Sequence, residues 1–304
     1  MMCPIQKYLK VGIVAFMAYP TTMKGEGPVL DAVTRICADD YFDAIEVTHI
    51  ADDKVRAKVK SVLEQSHINV CYGAQPRLLT GGLNPNALDE VERQKAVDVL
   101  LSSIDEAEYL GAKGIAFLSG KFTPEKQKEH FDALLRTTRE LCDYADKKGM
   151  NIVLEVFDFD LDKKSLIGPA PLALEFAQEM RKTHHNFGLM VDLSHIPQTY
   201  ETSRFVLQTL RPYIVHFHIG NAVVEPNAEA FGDTHPRFGF PHSPNDTAEV
   251  LEFLRLMKAE GFFDRNDPPV LSFEVKPWKD EQPELVVAGA KRVLNRAWAM
   301  LDGE

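Results

Sequence analysis

Four acidic or histidine side chains stand at the ends of short apolar runs in the second half of the chain. They are Glu155, Asp192, His218 and Glu274. Carboxylate oxygens and imidazole nitrogens are ligands that suit Mn, Mg, Co or Zn. If the four runs are strands of one sheet, their ends can converge on a single divalent cation. The pattern therefore predicts a metal enzyme.

These four runs belong to a regular alternation of strands and helices along the chain. Short, β-branched and largely apolar segments are typical of strands that are buried on both faces of a parallel sheet. The predicted strands cover residues 11–16, 43–48, 68–72, 114–118, 152–156, 188–191, 214–218 and 270–275. The predicted helices cover residues 28–38, 54–65, 86–110, 124–148, 170–182, 202–211, 246–260 and 282–301.

Eight strand-helix units without an evident linker predict a single (β/α)8 TIM barrel domain over residues 1–304. In such barrels the active site lies at the C-terminal ends of the strands, which is where the four side chains occur. The longest connection, residues 221–245, follows the seventh predicted strand and is rich in polar groups. We expect this connection to form a substrate lid over the site.

The composition excludes several classes of protein. With 45% hydrophobic and 26% charged residues, the chain has no apolar stretch long enough to cross a membrane, and we expect no secretion signal. The four cysteines are scattered, which favours free thiols in a cytoplasmic protein over a disulfide framework. A net charge of -11 argues against nucleic acid as a partner.

The second half of the chain resembles the xylose isomerase-like TIM-barrel superfamily, and within it the sugar isomerase and ketose 3-epimerase branch, which is D-tagatose 3-epimerase-like. The motifs that carry the resemblance are LEVF (154–157), VDLSH (191–195), HFHIGN (216–221) and SFEVKP (272–277). The resemblance implies one divalent ion, commonly Mn, held by Glu155, Asp192, His218 and Glu274. It also implies that Glu155 and Glu274 are the acid and base that isomerise or epimerise a ketose through an enediolate.

Five further residues are predicted to bind the sugar substrate. His195 matches the substrate-binding histidine of the family's D-x-x-H motif, although it could instead orient a neighbouring metal ligand. The family also has an arginine after the seventh strand, and Arg237 is the best candidate. Asp233 and His235 lie in the same long connection, where loop capping is the alternative role. Glu46 ends the second predicted strand and would face the same mouth of the barrel.

Other functions remain open at this stage. A dehydratase or lyase of a keto-polyol would begin with the same proton removal. The apurinic endonuclease branch of the superfamily is a metal phosphoesterase, and Asp233-Thr234-His235 keeps its D-x-H form, but the third and fourth predicted strands carry no histidine. A non-catalytic barrel within an assembly is the remaining alternative. The resemblance also implies a homo-oligomer, either a dimer or a tetramer.

Overall fold

The apolar segments predicted as strands pair with one another in chain order. The computed structural model describes residues 3–301, and in that range the strands form a closed parallel barrel in which β8 returns to pair with β1. The strands are β1 (Lys10–Val14), β2 (Ala44–Val47), β3 (Asn69–Gly73), β4 (Gly114–Leu118), β5 (Asn151–Glu155), β6 (Phe187–Asp192), β7 (Ile214–Gly220) and β8 (Val270–Glu274). The predicted TIM barrel is confirmed.

Helices cover the outside of this barrel and pack their apolar faces on the strands. They are α1 (Ala15–Ala18), α2 (Val29–Cys37), α3 (Asp53–Ser66), α4 (Gln75–Gly81), α5 (Glu90–Leu110), α6 (Gln127–Asp146), α7 (Ala170–Arg181), α8 (Ser203–Leu210), α9 (Thr247–Ala259) and α10 (Pro283–Leu301). Among the described residues, none of the helices combines the length and the apolar character needed to cross a membrane. The four cysteines are free thiols.

Three details of the predicted elements are wrong, each for a local reason. Strand β1 ends at Val14, because residues 15–18 turn into the short helix α1. Helix α5 begins at Glu90 instead of residue 86, because the Asp89 side chain caps it by accepting a hydrogen bond from the Glu92 N–H at 3.0 Å. Helix α4 was not predicted at all, and it places Gln75 directly after β3.

Strands β1, β2 and β8 pack small side chains closely against one another at Gly12. Gly12 on β1 faces Ser272 on β8 and Ala44 on β2 so closely that an added Cβ would lie 2.4 Å from Ser272 Oγ. Such a distance is shorter than any normal contact, so a larger residue at position 12 would require the Ser272 side chain to move.

Candidate metal centre and active site

Strand pairing sets the four predicted ligands side by side. Asp192 on β6 is in register with His218 on β7, and Glu274 on β8 is in register with Gly220, two residues beyond that histidine. Glu155 ends β5, which pairs with β6. One ligand atom from each of the four side chains lies within 4.8 Å of the others, and all four residues are buried. The structure thus brings the four together.

Two carboxylate oxygens in this cluster are buried and accept no hydrogen bond from any residue in the described range 3–301. They are Glu155 Oε1 and Asp192 Oδ2. The second oxygen of each carboxylate is held, because Gln75 Nε2 donates to Glu155 Oε2 at 2.7 Å and the Ser194 N–H donates to Asp192 Oδ1 at 2.7 Å. A buried acceptor without a partner is costly, and a cation would satisfy both. Three carboxylates and one imidazole therefore fit a divalent ion of the Mn, Mg, Co or Zn type.

A second group of polar side chains lies next to this cluster inside the barrel. Glu46 Oε1 lies 2.9 Å from His218 Nε2 and 2.7 Å from His216 Nε2. The other ring nitrogen of His218, Nδ1, lies 2.7 Å from Glu274 Oε2. Glu46 is buried, with 1% of its surface exposed, so its carboxylate fixes the orientation of the His218 ring. Substrate binding by Glu46 stays a prediction.

A third group forms around Asp233, where the connection after β7 folds back over the barrel. His195 Nε2 and His235 Nε2 lie 3.1 Å and 3.0 Å from Asp233 Oδ1. Gln198 Nε2 donates to the same oxygen at 2.9 Å, and Lys163 Nζ lies 3.1 Å from Asp233 Oδ2. Three of the residues predicted to bind substrate, His195, Asp233 and His235, therefore share one buried network at the mouth.

Burial and neighbouring charges shift the pKa values of the candidate ligands and of Glu46. Burial alone would lower the pKa of His218, but attraction to Glu46 and Glu274 raises that pKa well above its usual value. For Glu46, burial raises the pKa, and His218 and His216 outweigh it and hold the pKa well below the usual range. In Glu274, burial is the largest effect and leaves the pKa raised. A carboxyl group with a raised pKa is suited to proton transfer near neutrality.

The two histidines of the Asp233 network respond to the same kind of balance. Burial lowers the pKa of His195, but the charge of Asp233 outweighs it and raises the pKa to about 10. Burial also lowers the pKa of His235, but the charges of Glu274 and Asp233 outweigh it and raise the pKa to about 9. With no cation bound, the network therefore carries positive charge on its imidazoles at neutral pH.

A cavity of about 160 Å³ opens above these groups at the C-terminal mouth. Most of the carboxylates and imidazoles just described line it, together with Lys163 and Lys276. They are Glu46, Glu155, His218, Asp233, His235 and Glu274. The opposite wall is apolar and consists of Phe16, Met17, Met23, Pro76, Leu79 and Phe157. Such a cavity combines an apolar wall with a few fixed polar groups, as small-molecule sites do.

A protein-family model described as a xylose isomerase-like TIM barrel matches residues 35–287 of the chain. The chain belongs to this family. The superfamily inferred from the four motifs is therefore confirmed. A comparison of the sequence with curated proteins finds no match.

Solved structures of this family are similar to the chain over almost its whole length. A D-tagatose 3-epimerase-like protein has 18% sequence identity and a TM-score of 0.74, over 97% of this chain and 99% of that one. A 3-keto-D-glucoside 4-epimerase from E. coli has 15% identity and a TM-score of 0.66, over 94% and 99%. An AP endonuclease, family 2, from Brucella melitensis has 15% identity and a TM-score of 0.67, over 92% and 97%. At these identities the likeness concerns the fold.

The side chain of Arg237, another predicted site residue, joins neither the ligand cluster nor the Asp233 network, and it does not line the cavity of this xylose isomerase-like barrel. Its Nε donates to Glu281 Oε1 at 2.8 Å, and its Nη1 donates to the Gly239 carbonyl at 3.2 Å. The side chain is 43% exposed. These contacts hold the guanidinium outside the cavity.

Sequence reasoning missed three polar residues of the site. Gln75 binds Glu155, whereas Lys163 and Gln198 bind Asp233. Gln75 follows directly after a predicted strand, and that position at the mouth of a parallel barrel was an available signal. The other two lie in connections whose paths no sequence periodicity predicts.

Proposed function

We propose that this protein is a divalent-metal-dependent isomerase or epimerase of a ketose or a related polyhydroxy ketone. The observation that carries the proposal is the pair of buried carboxylates, Glu155 and Glu274, which share a cluster with Asp192 and His218 and line one small cavity. The epimerases among the similar structures support it. We infer Mn as the ion, with Mg, Co or Zn as alternatives that the same ligands accept.

The ligands Glu155, Asp192, His218 and Glu274 would hold the ion. When bound, a divalent cation supplies Lewis acidity, which polarises a carbonyl and stabilises the negative charge that develops on proton removal. Glu46 would keep the His218 ring in its orientation through the 2.9 Å contact with Nε2. Gln75 would hold one oxygen of Glu155 and leave the other free.

The two glutamates would carry the proton. One carboxylate takes it from the carbon beside the carbonyl, and the other returns it from the opposite face, so that the configuration inverts through an enediolate. The raised pKa of Glu274, which burial causes, favours this residue as a group that can exchange a proton near neutrality. We assign the two roles to the pair and do not divide them between the two residues.

The Asp233 network would hold substrate oxygens beside these glutamates. The Nδ1 atom of His195 lies 2.8 Å from the Val156 carbonyl and donates to it, so Nε2 is the atom turned toward the carboxylates. We propose that His195, Asp233 and His235 bind hydroxyl or carbonyl oxygens of the sugar and exclude water from it. All three are buried to more than nine tenths.

The test is deuterium exchange combined with metal analysis. The purified protein is incubated with a panel of ketoses in D2O, and carbon-bound deuterium is measured for wild type, Glu274→Gln and Glu281→Gln. The last variant is the matched control, because Glu281 pairs with Arg237 outside the cavity. We expect one metal ion per chain and exchange that is lost only in Glu274→Gln. A protein without metal would overturn the four-ligand site.

Two enzymatic alternatives give other results in the same experiment. A dehydratase or lyase would exchange the proton but release water or a fragment, which product analysis detects. A phosphoesterase is favoured by one observation, since ligand atoms of Asp192, His195 and His235 also lie within 4.8 Å of one another. That function would require more than one metal ion per chain and hydrolysis of a phosphate ester. The net charge of -11 argues against a nucleic-acid substrate.

We also propose that residues 1–304 act as one domain and that the protein forms a homo-oligomer. The oligomer is inferred from the family alone, and its size is measured by light scattering of the metal-loaded protein. A purely structural role within an assembly would be supported if removal of the metal left every measured turnover unchanged.

A further inference from the structure

The ammonium group of one lysine at the mouth of the cavity is unpaired among the described residues. Lys276 follows Glu274 by two residues and lines the same cavity. Its N–H donates to the His235 carbonyl at 2.6 Å, and the preceding residue, Val275, is completely buried, so the main chain is held in place here. Its ammonium group makes no hydrogen bond or ion pair with any residue of the described range 3–301.

The other charged groups that line this cavity are paired. The carboxylates contact histidines or Gln75, as described above. Lys163, the second ammonium group at the cavity, lies 2.8 Å from Asp162 Oδ2 and 3.1 Å from Asp233 Oδ2. Arg237, the cation expected from the sequence, pairs with Glu281 outside the cavity. Lys276 is therefore the positive charge that a ligand in this cavity would find uncompensated.

The surroundings of Lys276 make this charge effective. The apolar wall of Phe16, Met17, Met23 and Leu79 keeps water and its screening away from one side of the cavity. The chain as a whole has a net charge of -11 and repels anions. An anionic substrate would consequently need a local cation. Lys276 can provide one, because it lies two residues past the end of β8, at the mouth of the barrel.

We propose that Lys276 binds an anionic group, a phosphate or a carboxylate, at the end of the substrate that is distant from the reacting carbons. The inference rests on the proposed function, because the reacting carbons are taken to lie between Glu155 and Glu274. The substrate class is then a phosphorylated or acidic polyhydroxy ketone, and not a neutral sugar.

The experiment compares three ligands that differ only at carbon 6: D-tagatose, D-tagatose 6-phosphate and D-tagaturonate. Dissociation constants are measured by calorimetry with the metal-loaded protein for wild type, Lys276→Met and Lys128→Met. Lys128 is the matched control, because its side chain is 85% exposed on α6, outside the cavity. We expect one anionic ligand to bind wild type roughly ten- to hundredfold more tightly than D-tagatose, as a charged hydrogen bond gives. Whichever of the two anionic ligands binds more tightly shows whether Lys276 prefers a phosphate or a carboxylate.

Lys276→Met should remove the preference for the anionic ligand and leave the affinity for D-tagatose within about twofold of wild type. Lys128→Met should keep the preference, because only a charge close to the bound anion escapes screening by salt. Lys276→Arg should retain most of the preference, which separates loss of charge from misfolding. The proposal is overturned if neither anion binds more tightly than D-tagatose, including the case in which none of the three binds, or if Lys276→Met keeps the preference. Deuterium exchange without an anion preference would overturn this inference and leave the proposed function standing. An anion preference without deuterium exchange would overturn the proposed function, and with it the substrate class, and would leave only an anion-binding role for Lys276.

Discussion

The two halves of the barrel contribute different parts of the candidate site. Strands β5 to β8 deliver the four predicted ligands, all at or beside their C-terminal ends. Strands β1 to β4 and their connections deliver Glu46 and Gln75, which each hold one of those ligands, and the apolar wall that includes Phe16. The comparison suggests that one half carries the chemistry and the other half orients it. Substitutions in each half can separate the two contributions.

The largest effect is expected from a ligand in the second half. Asp192→Asn replaces a buried carboxylate whose Oδ2 accepts no hydrogen bond from residues 3–301, so a cation would lose one negative charge and one strong ligand. We expect the metal dissociation constant to rise more than about a hundredfold, beyond the effect typical of residues that only orient ligands. Isothermal titration with Mn²⁺ measures it, and Asp53→Asn on α3 is the control because that side chain is 86% exposed. Unchanged affinity would remove Asp192 from the ligand set.

A smaller effect is expected from the orienting residue of the first half. Glu46→Gln keeps an oxygen near His218 and His216 but removes the charge that they share. Residues that orient metal ligands typically change metal affinity by about ten- to hundredfold, so the loss should fall below that of Asp192→Asn. If the two variants were equal, Glu46 would have to act as more than an orienting residue.

The pH dependence of metal binding connects the two halves. In the absence of metal, Glu46 and Glu274 overcome burial and raise the pKa of His218 well above its usual value, so the ring is protonated at neutral pH and must lose its proton to bind a cation. Affinity should therefore rise with pH, by up to about tenfold per unit for each proton released. Titrations in buffers of different ionisation enthalpy count the protons.

Glu46→Gln should shift this pH dependence to lower pH, since the residue that raises the pKa of His218 is then neutral. An affinity that stays constant between acidic and neutral pH would contradict protonation of the metal-free site.

The smallest of these effects is expected for Gln75→Met, a substitution of similar length without the amide. Gln75 Nε2 donates to Glu155 Oε2 at 2.7 Å, and a hydrogen bond to a charged group contributes about 1.5 to 3 kcal/mol. We expect kcat/KM to fall by about tenfold with a folded protein, because Glu155 is then free to rotate. Circular dichroism provides the folding control. Unchanged kinetics would show that the cluster holds Glu155 without help from the first half.

The fold was largely predictable, and the errors have physical causes. Eight apolar runs separated by amphipathic segments are a strong signal because strands buried on both faces and helices buried on one differ in their periodicity. Helix α4 was not predicted because its 7 residues make fewer than two turns, which is too short for a helical period to appear in the sequence. The observed start of α5 differs from the predicted one because the cap residue Asp89 decides where this helix begins.

The candidate site was predictable only in part. Asp192 and His218 could be paired from the sequence, because each lies at or directly after the end of a predicted strand and adjacent parallel strands align their ends. Arg237 shares a loop with Asp233 and His235, yet only the other two reach the cavity. Arg237 instead contacts Glu281, and this contact does not follow from the spacing of residues.

The sequence by itself determined the alternation of eight strands and helices and the placement of the four candidate ligands near the strand ends, since both follow from periodicity and from the rule that barrel sites lie at the C-terminal ends. The tertiary structure decided which side chains orient those ligands. Glu46 meets His216 across 170 residues, and Gln75 meets Glu155 across 80. Such contacts exist only once the barrel has closed, because closure and the paths of the connections set distances that no local pattern encodes.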